Sequence, residues 1–290
     1  MTNKPFSQSE LSFAVGPKFQ TVWGLREAIV FSLEGIGSST FFWFALSGDV
    51  IGMMFSILAM LVAVLLLLSH LGRPIAAWRA IANIRRSWIS RGTAAIGLFV
   101  VLAALYLSSL SIPILGFAQA ASAPLLFFLI VSGVFILFYP GLAMSASAGI
   151  AFWKNANHVS LSFLNGFISG MFIYFAVATE IKAFEIITLL YTIGLLAILG
   201  TVISFLIFIF QSIHRGGASA LSARTLLKNE RFLFWFLSIG LGILLPLVVV
   251  VFGIPKLGSN TLIGVACGRI IGDVAFRYAI LKVGAFESVV

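Results

Sequence analysis

Eight apolar stretches dominate this chain, each close to the ~20 residues that a helix needs to cross a hydrocarbon core. They run over residues 23–47, 50–71, 93–112, 124–145, 159–179, 186–213, 232–252 and 262–286. In lipid the backbone must satisfy its own hydrogen bonds, and helices do so within a single segment. Composition agrees. Of the 290 residues, 61% are hydrophobic and 9% are charged, against about 25% charged in a soluble domain. The sequence predicts an all-α integral membrane protein of eight transmembrane helices, arranged as two four-helix bundles. Residues 1–22 form a polar N-terminal segment and 23–286 the membrane domain. The segment holds Pro5 and Pro17 and lacks the short apolar core and cleavage site of a secretory signal, so the first helix is expected to be retained.

Lys and Arg set the orientation. With the N-terminus in the cytoplasm, that side collects Lys4, Lys18, Arg26, Arg73, Arg79, Arg85, Arg86 and Arg91. It also receives Lys154, Arg215, Arg224, Lys228, Arg231 and Lys282, while the opposite loops offer little beyond Lys182 and Lys256. Both termini are therefore expected inside. The net charge of +9 sits in these loops, which points to membrane topology and not to nucleic acid. The single cysteine, Cys267, excludes an iron–sulfur cluster, a four-cysteine zinc site or an internal disulfide built from this chain alone.

The connection 70–92, HLGRPIAAWRAIANIRRSWISRG, interleaves five Arg and two Trp with apolar residues at helical spacing. Two readings stand side by side. One is an interfacial amphipathic helix with its arginines among lipid headgroups. The other is a docking surface for a partner.

Ionisable groups inside lipid are costly and usually functional. Glu34 lies half way along the first span, seven residues after Glu27 and on the same face. The last span carries Arg269, Asp273 and Arg277 as one stripe at four-residue spacing. On a structural reading Arg269 pairs with Asp273, and Arg277 meets a carboxylate such as Glu34. On a functional reading the four form a proton path or line a polar cavity. The two are compatible.

His70 ends the second span, His158 precedes the fifth and His214 ends the sixth, all at the expected inner edge. None offers the facing mid-membrane ligands of a b-type haem, so no haem is expected. His70, Tyr139 and Glu27 fall at one depth near that edge. A His, a Tyr and a carboxylate at one level suit hydrogen bonding and proton exchange with two carbonyl oxygens, the chemistry of quinone reduction.

The 70–92 run closely resembles the segment after the second helix in the membrane anchors of dimethyl sulfoxide reductase-type enzymes, relatives of the polysulfide-reductase and NrfD-type anchors. His70, Leu71, Gly72, Pro74, Trp78, Arg79, Asn83, Ser87 and Ser90 carry the match. The tail GRIIGDVAFRYAILKVG is similar to that family's last helix. The resemblance implies a subunit of a respiratory complex in a bacterial or archaeal cytoplasmic membrane. Its partners would be an iron–sulfur electron-transfer subunit and a molybdenum or tungsten pterin (molybdopterin) catalytic subunit. The chain itself would bind menaquinone or ubiquinone among membrane lipids. The resemblance places His70 and Arg73 at the quinone pocket, beneath the iron–sulfur subunit. The shared depth adds Tyr139 and Glu27 to that site, and the Arg- and Trp-rich connection offers Trp78, Arg79, Arg85, Arg86, Trp88 and Ser90 as the expected docking surface. Two departures from the pattern stand out. Arg91 and Gly92 replace an acid, and the charges Arg269 and Asp273 are exchanged in order. The competing expectation is a secondary transporter whose mid-membrane site is lined by Glu34, Asp273, Arg269 and Arg277, with Pro140, Gly141 and Pro246 interrupting spans.

Overall fold

The computed structural model describes residues 17–69, 78–111, 117–177, 184–252 and 259–287; His70 and Arg73 lie outside them. The regular elements are helices, and isolated bridges join Phe19 with Ala285 and Ile150 with Phe286 among the described residues. They follow as α1 (Leu25–Ser47), α2 (Val50–Ser69), the single turn α3 (Arg79–Ala82), α4 (Trp88–Ser111) and α5 (Phe117–Ser145). Then come α6 (Asn157–Val177), α7 (Phe184–His214), α8 (Gly217–Lys228), α9 (Phe232–Phe252) and α10 (Ser259–Lys282). Seven of them, all but α3, α8 and α10, are long and apolar enough to cross a membrane, so the chain is a multi-pass membrane protein. α10, at 24 residues, matches them in length but carries Arg269, Asp273, Arg277 and Lys282.

α4 starts at Trp88, ahead of the expected 93. Ser87 explains it, because its Oγ accepts the Ser90 N–H at 3.3 Å and caps the first turn. Arg91 then folds the preceding turn back, donating to the carbonyls of Ile84 and Arg85 at 2.9 Å each.

Helices α1, α2, α4 and α5 pack around one another, as do α6, α7, α9 and α10. The two groups meet where α1 and α5 lie on α6 and where α1 touches α10. Phe55, Leu65, Phe127, Leu206 and Phe210 are each more than 60% exposed on the outside, a surface that suits lipid and not water. Lipid tails give helices no hydrophobic reason to associate, so close backbone packing must do it. The α1–α6 seam shows how. A Cβ on Gly35 would stand 3.2 Å from the Gly166 Cα, and one on Gly170 would stand 2.7 Å from the Thr40 amide nitrogen. Ser39 adds a hydrogen bond to the Phe167 carbonyl at 3.1 Å.

One side chain ties the two ends of the bundle together. The Gln20 amide donates to the carbonyls of Leu281 at 2.6 Å and Trp23 at 2.7 Å, and its oxygen accepts the N–H groups of Val22 and Trp23. All of its hydrogen-bonding capacity is used at the junction where α1 begins and α10 ends.

Candidate functional site

At this edge a cleft of about 410 Å³ opens between the start of α1, the α3–α4 turn, the end of α5 and the loop before α6. Trp23, Trp88 and Trp153 line it, with Arg86 and Gln20 among the polar groups. Trp23 stacks on Trp153 at 5.4 Å between ring centroids, and Trp153 is held by its Nε1–H to the Ile280 carbonyl at 3.1 Å. Ala143 also lines the cleft, and Tyr139 lies one turn further along α5. The Tyr139 ring packs on Phe31 edge-on and covers Gly92, where any side chain would overlap it. Gly92, one of the two departures from the family pattern, thus makes room for the tyrosine. Glu27 stands at the head of α1, its Oε2 accepting the Gly24 N–H at 2.7 Å.

Behind the cleft a buried polar column follows the facing sides of α1, α6 and α10. Arg269, 1% exposed, gives Nη1–H to the Gly242 carbonyl at 2.6 Å and Nη2–H to both Asn165 oxygens at 2.8 Å. Gly242 lies where the wider π-helix of Phe232–Leu244, whose last bond runs from the Leu245 N–H to the Gly240 carbonyl, meets Pro246, which has no N–H to offer. The arginine satisfies a carbonyl beside this proline, as buried backbone in a membrane requires.

Arg277 Nε lies 3.2 Å from Asp273 and its terminal nitrogens lie 3.4–3.5 Å from Ser162. The expected Arg269–Asp273 pair is therefore not formed; Asp273 pairs with Arg277. Helical side chains lean toward the N-terminus, so an acid followed four residues later by a base is the favoured order. Glu34 is 2% exposed and near enough to Arg277 to interact electrostatically, as it is to Tyr139. It makes no ion pair with Arg277, and its Oε2 has no hydrogen-bond partner. A cavity of about 20 Å³ touches Arg277, Ser162, Asn165 and His158 beside Pro140 and Gly141, where α5 runs on without the expected interruption.

Of the docking residues, Trp78, Arg79, Arg85 and Arg86 are exposed, Trp88 is half-buried in the cleft wall and Ser90 is buried. Arg79 rests on the Trp78 ring at 5.6 Å and Arg91 on the Trp88 ring at 4.4 Å. His214 is exposed and bonds the Phe210 carbonyl at 2.9 Å, a helix-end role. His158 stands in the first turn of α6, at the helix end as expected, and is buried at 4% between Phe152 and Phe208. Sequence reasoning also passed over Gln20, Trp23, Trp153 and Asn165. Asn165 carried a signal, a polar residue mid-span, whereas the other three carried none. Among the described residues no group of three or more His, Cys, Asp or Glu is placed to hold a metal ion.

No curated protein sequence matches the chain. The family described as polysulphide reductase, NrfD, matches it over residues 18–287, from the segment before α1 to the end of the described tail. The chain belongs to the polysulphide reductase NrfD family.

Proposed function

We propose that this chain is the membrane anchor subunit of a multi-subunit iron–sulfur molybdoenzyme, passing electrons from the iron–sulfur subunit to membrane quinone. The cleft carries the reading. Its volume of about 410 Å³ falls within the roughly 300–1,000 Å³ of small-molecule sites. Three indoles suit a planar ring, and Arg86 supplies donors beside them. These residues fit menaquinone or ubiquinone, which supplies two-electron, two-proton carrier chemistry when bound. Tyr139, with His70 and Arg73 from the adjoining connection and Glu27 at the head of α1, orients the carbonyl oxygens and holds protons near them. The exposed Trp78, Arg79, Arg85 and Arg86 receive the iron–sulfur subunit, which brings its nearest cluster close to the cleft without any haem.

In this reading α10 is the eighth span. Its Arg269, Asp273 and Arg277 are buried against α6 and α9 and do not meet lipid, which makes a charged helix tolerable there. Both termini lie on the cytoplasmic side of an inner membrane, and the column of Glu34, Arg277, Asp273 and Arg269 serves proton movement. The competing transporter reading draws on that same column. The cavity beside Arg277, about 20 Å³, is an order of magnitude short of a solute site, so the anchor reading is preferred.

Purification through a tag on this chain, in mild detergent with mass spectrometry and metal analysis, tests the choice. Co-recovery of an iron–sulfur protein and a molybdopterin subunit is the expected result. A metal-free chain that comes alone, after controls for subunit loss, favours the transporter.

A further inference from the structure

His158 and Arg277 are brought to one small cavity by different helices, α6 and α10, and the proposed quinone chemistry uses neither contact. The cavity's volume, about 20 Å³, is decisive. A void needs roughly 10–15 Å³ on this measure to hold a water molecule, so it admits one and not two. Its lining is mostly apolar, but the side chains of His158, Ser162, Asn165 and Arg277 reach it. His158 Nε2 is buried and has no protein partner. The tautomer that carries its proton on Nδ1 presents a lone pair there. Arg277 has more N–H groups than its contacts with Asp273 and Ser162 use. The Ser162 hydroxyl donates to the Leu137 carbonyl at 3.0 Å, which leaves an oxygen lone pair.

We propose that this cavity is a built site for a single water molecule, which donates to His158 Nε2 and to Ser162 Oγ and accepts from the Arg277 guanidinium. Three bonds are what a buried water ordinarily makes. The water joins His158 to the Arg277–Asp273 pair and extends the polar column to the first turn of α6. His158 is thereby a positioning residue for Arg277, tied to it through the water. Nothing in this inference depends on quinone, so it stands or falls apart from the functional reading.

The chain holds three histidines, few enough to follow singly. Histidine-labelled (¹⁵N) chain, in its intact assembly in bilayers, is examined by water-edited solid-state NMR. The variants His70→Gln and His214→Gln are used only to assign the remaining signals. The expected result is one protonated and one unprotonated ring nitrogen for His158, with magnetisation passing from water to the unprotonated one. A dry unprotonated nitrogen overturns the proposal, as does a His158 protonated at Nε2. A density map fine enough to show ordered water provides a second check that needs no variant. A peak bonded to both His158 and Arg277 supports the site, and an empty cavity in a well-defined map refutes it.

Discussion

Arg269 of α10 donates to the Gly242 carbonyl of α9 at 2.6 Å, beside Pro246, which has no N–H to give. The arginine that looks most like a charge for transport is, by its contacts, a cap on broken backbone. Removing it leaves the Gly242 and Asn165 acceptors bare inside the bundle, at about 1–3 kcal/mol for each buried unsatisfied group. Arg269→Met should therefore lower the thermal midpoint of the purified protein markedly. Pro246→Ala in the same background restores a backbone N–H at this turn of α9 and should recover part of the loss. If Pro246→Ala makes Arg269→Met less stable still, the capping account is wrong.

The α1–α6 seam makes a second prediction. Gly170→Val drives a side chain into Ser39 and Thr40 of α1, whereas Gly97→Ala and Gly264→Ala add a methyl with nothing within 4 Å. Overpacking costs about 1–3 kcal/mol where neighbours yield, and the backbone at Thr40 yields little. The valine variant should accumulate poorly in membranes or melt early, while both alanine variants match the parent. Equal behaviour of all three would show that the seam does not hold the bundle together.

The spans were legible because length and apolarity answer directly to the thickness of a bilayer, and seven helices fall where the hydropathy places them. α10 falls on the eighth apolar stretch, 262–286, and its charge stripe at four-residue spacing keeps to one face. What the stripe would pair with was not legible. Asp273 chose Arg277 because of the lean of helical side chains, and Arg269 chose a carbonyl beside a proline on another helix. The cleft was equally hidden. Trp23, Trp153 and Gln20 meet through the chain ends and the loop before α6, contacts between distant residues that no local pattern encodes. His158 sits at a helix end, where a histidine is ordinarily a cap, and the aromatic rings that bury it come from the preceding loop and from α7.

Glu27 has a structural task that competes with any proton-handling one. Its carboxylate caps the start of α1 through the Gly24 N–H, a contact worth ~1 kcal/mol at a helix N-terminus. Glu27→Gln keeps an acceptor oxygen and should retain stability, while Glu27→Ala should lose about that amount. Quinone-linked turnover of the glutamine variant then decides the second role. Near-parental turnover with intact folding confines Glu27 to capping, and a large fall keeps it in the proposed site.

Tyr139 is the sharpest test of the site itself. Its ring fills the space over Gly92 and packs on Phe31, so Tyr139→Phe preserves packing and removes only the hydroxyl. A positioned acid–base group contributes at least about 10²-fold in favourable cases, so quinone-linked turnover should fall by at least about tenfold. Oxidation of the partner's substrate with a soluble artificial acceptor should survive, because that route bypasses the cleft. His70→Ala should behave the same way with the complex still assembled. If both variants reduce quinone at the parental rate, the cleft is not where quinone reacts. If activity with the artificial acceptor falls in parallel, the lesion lies in assembly and not in the site.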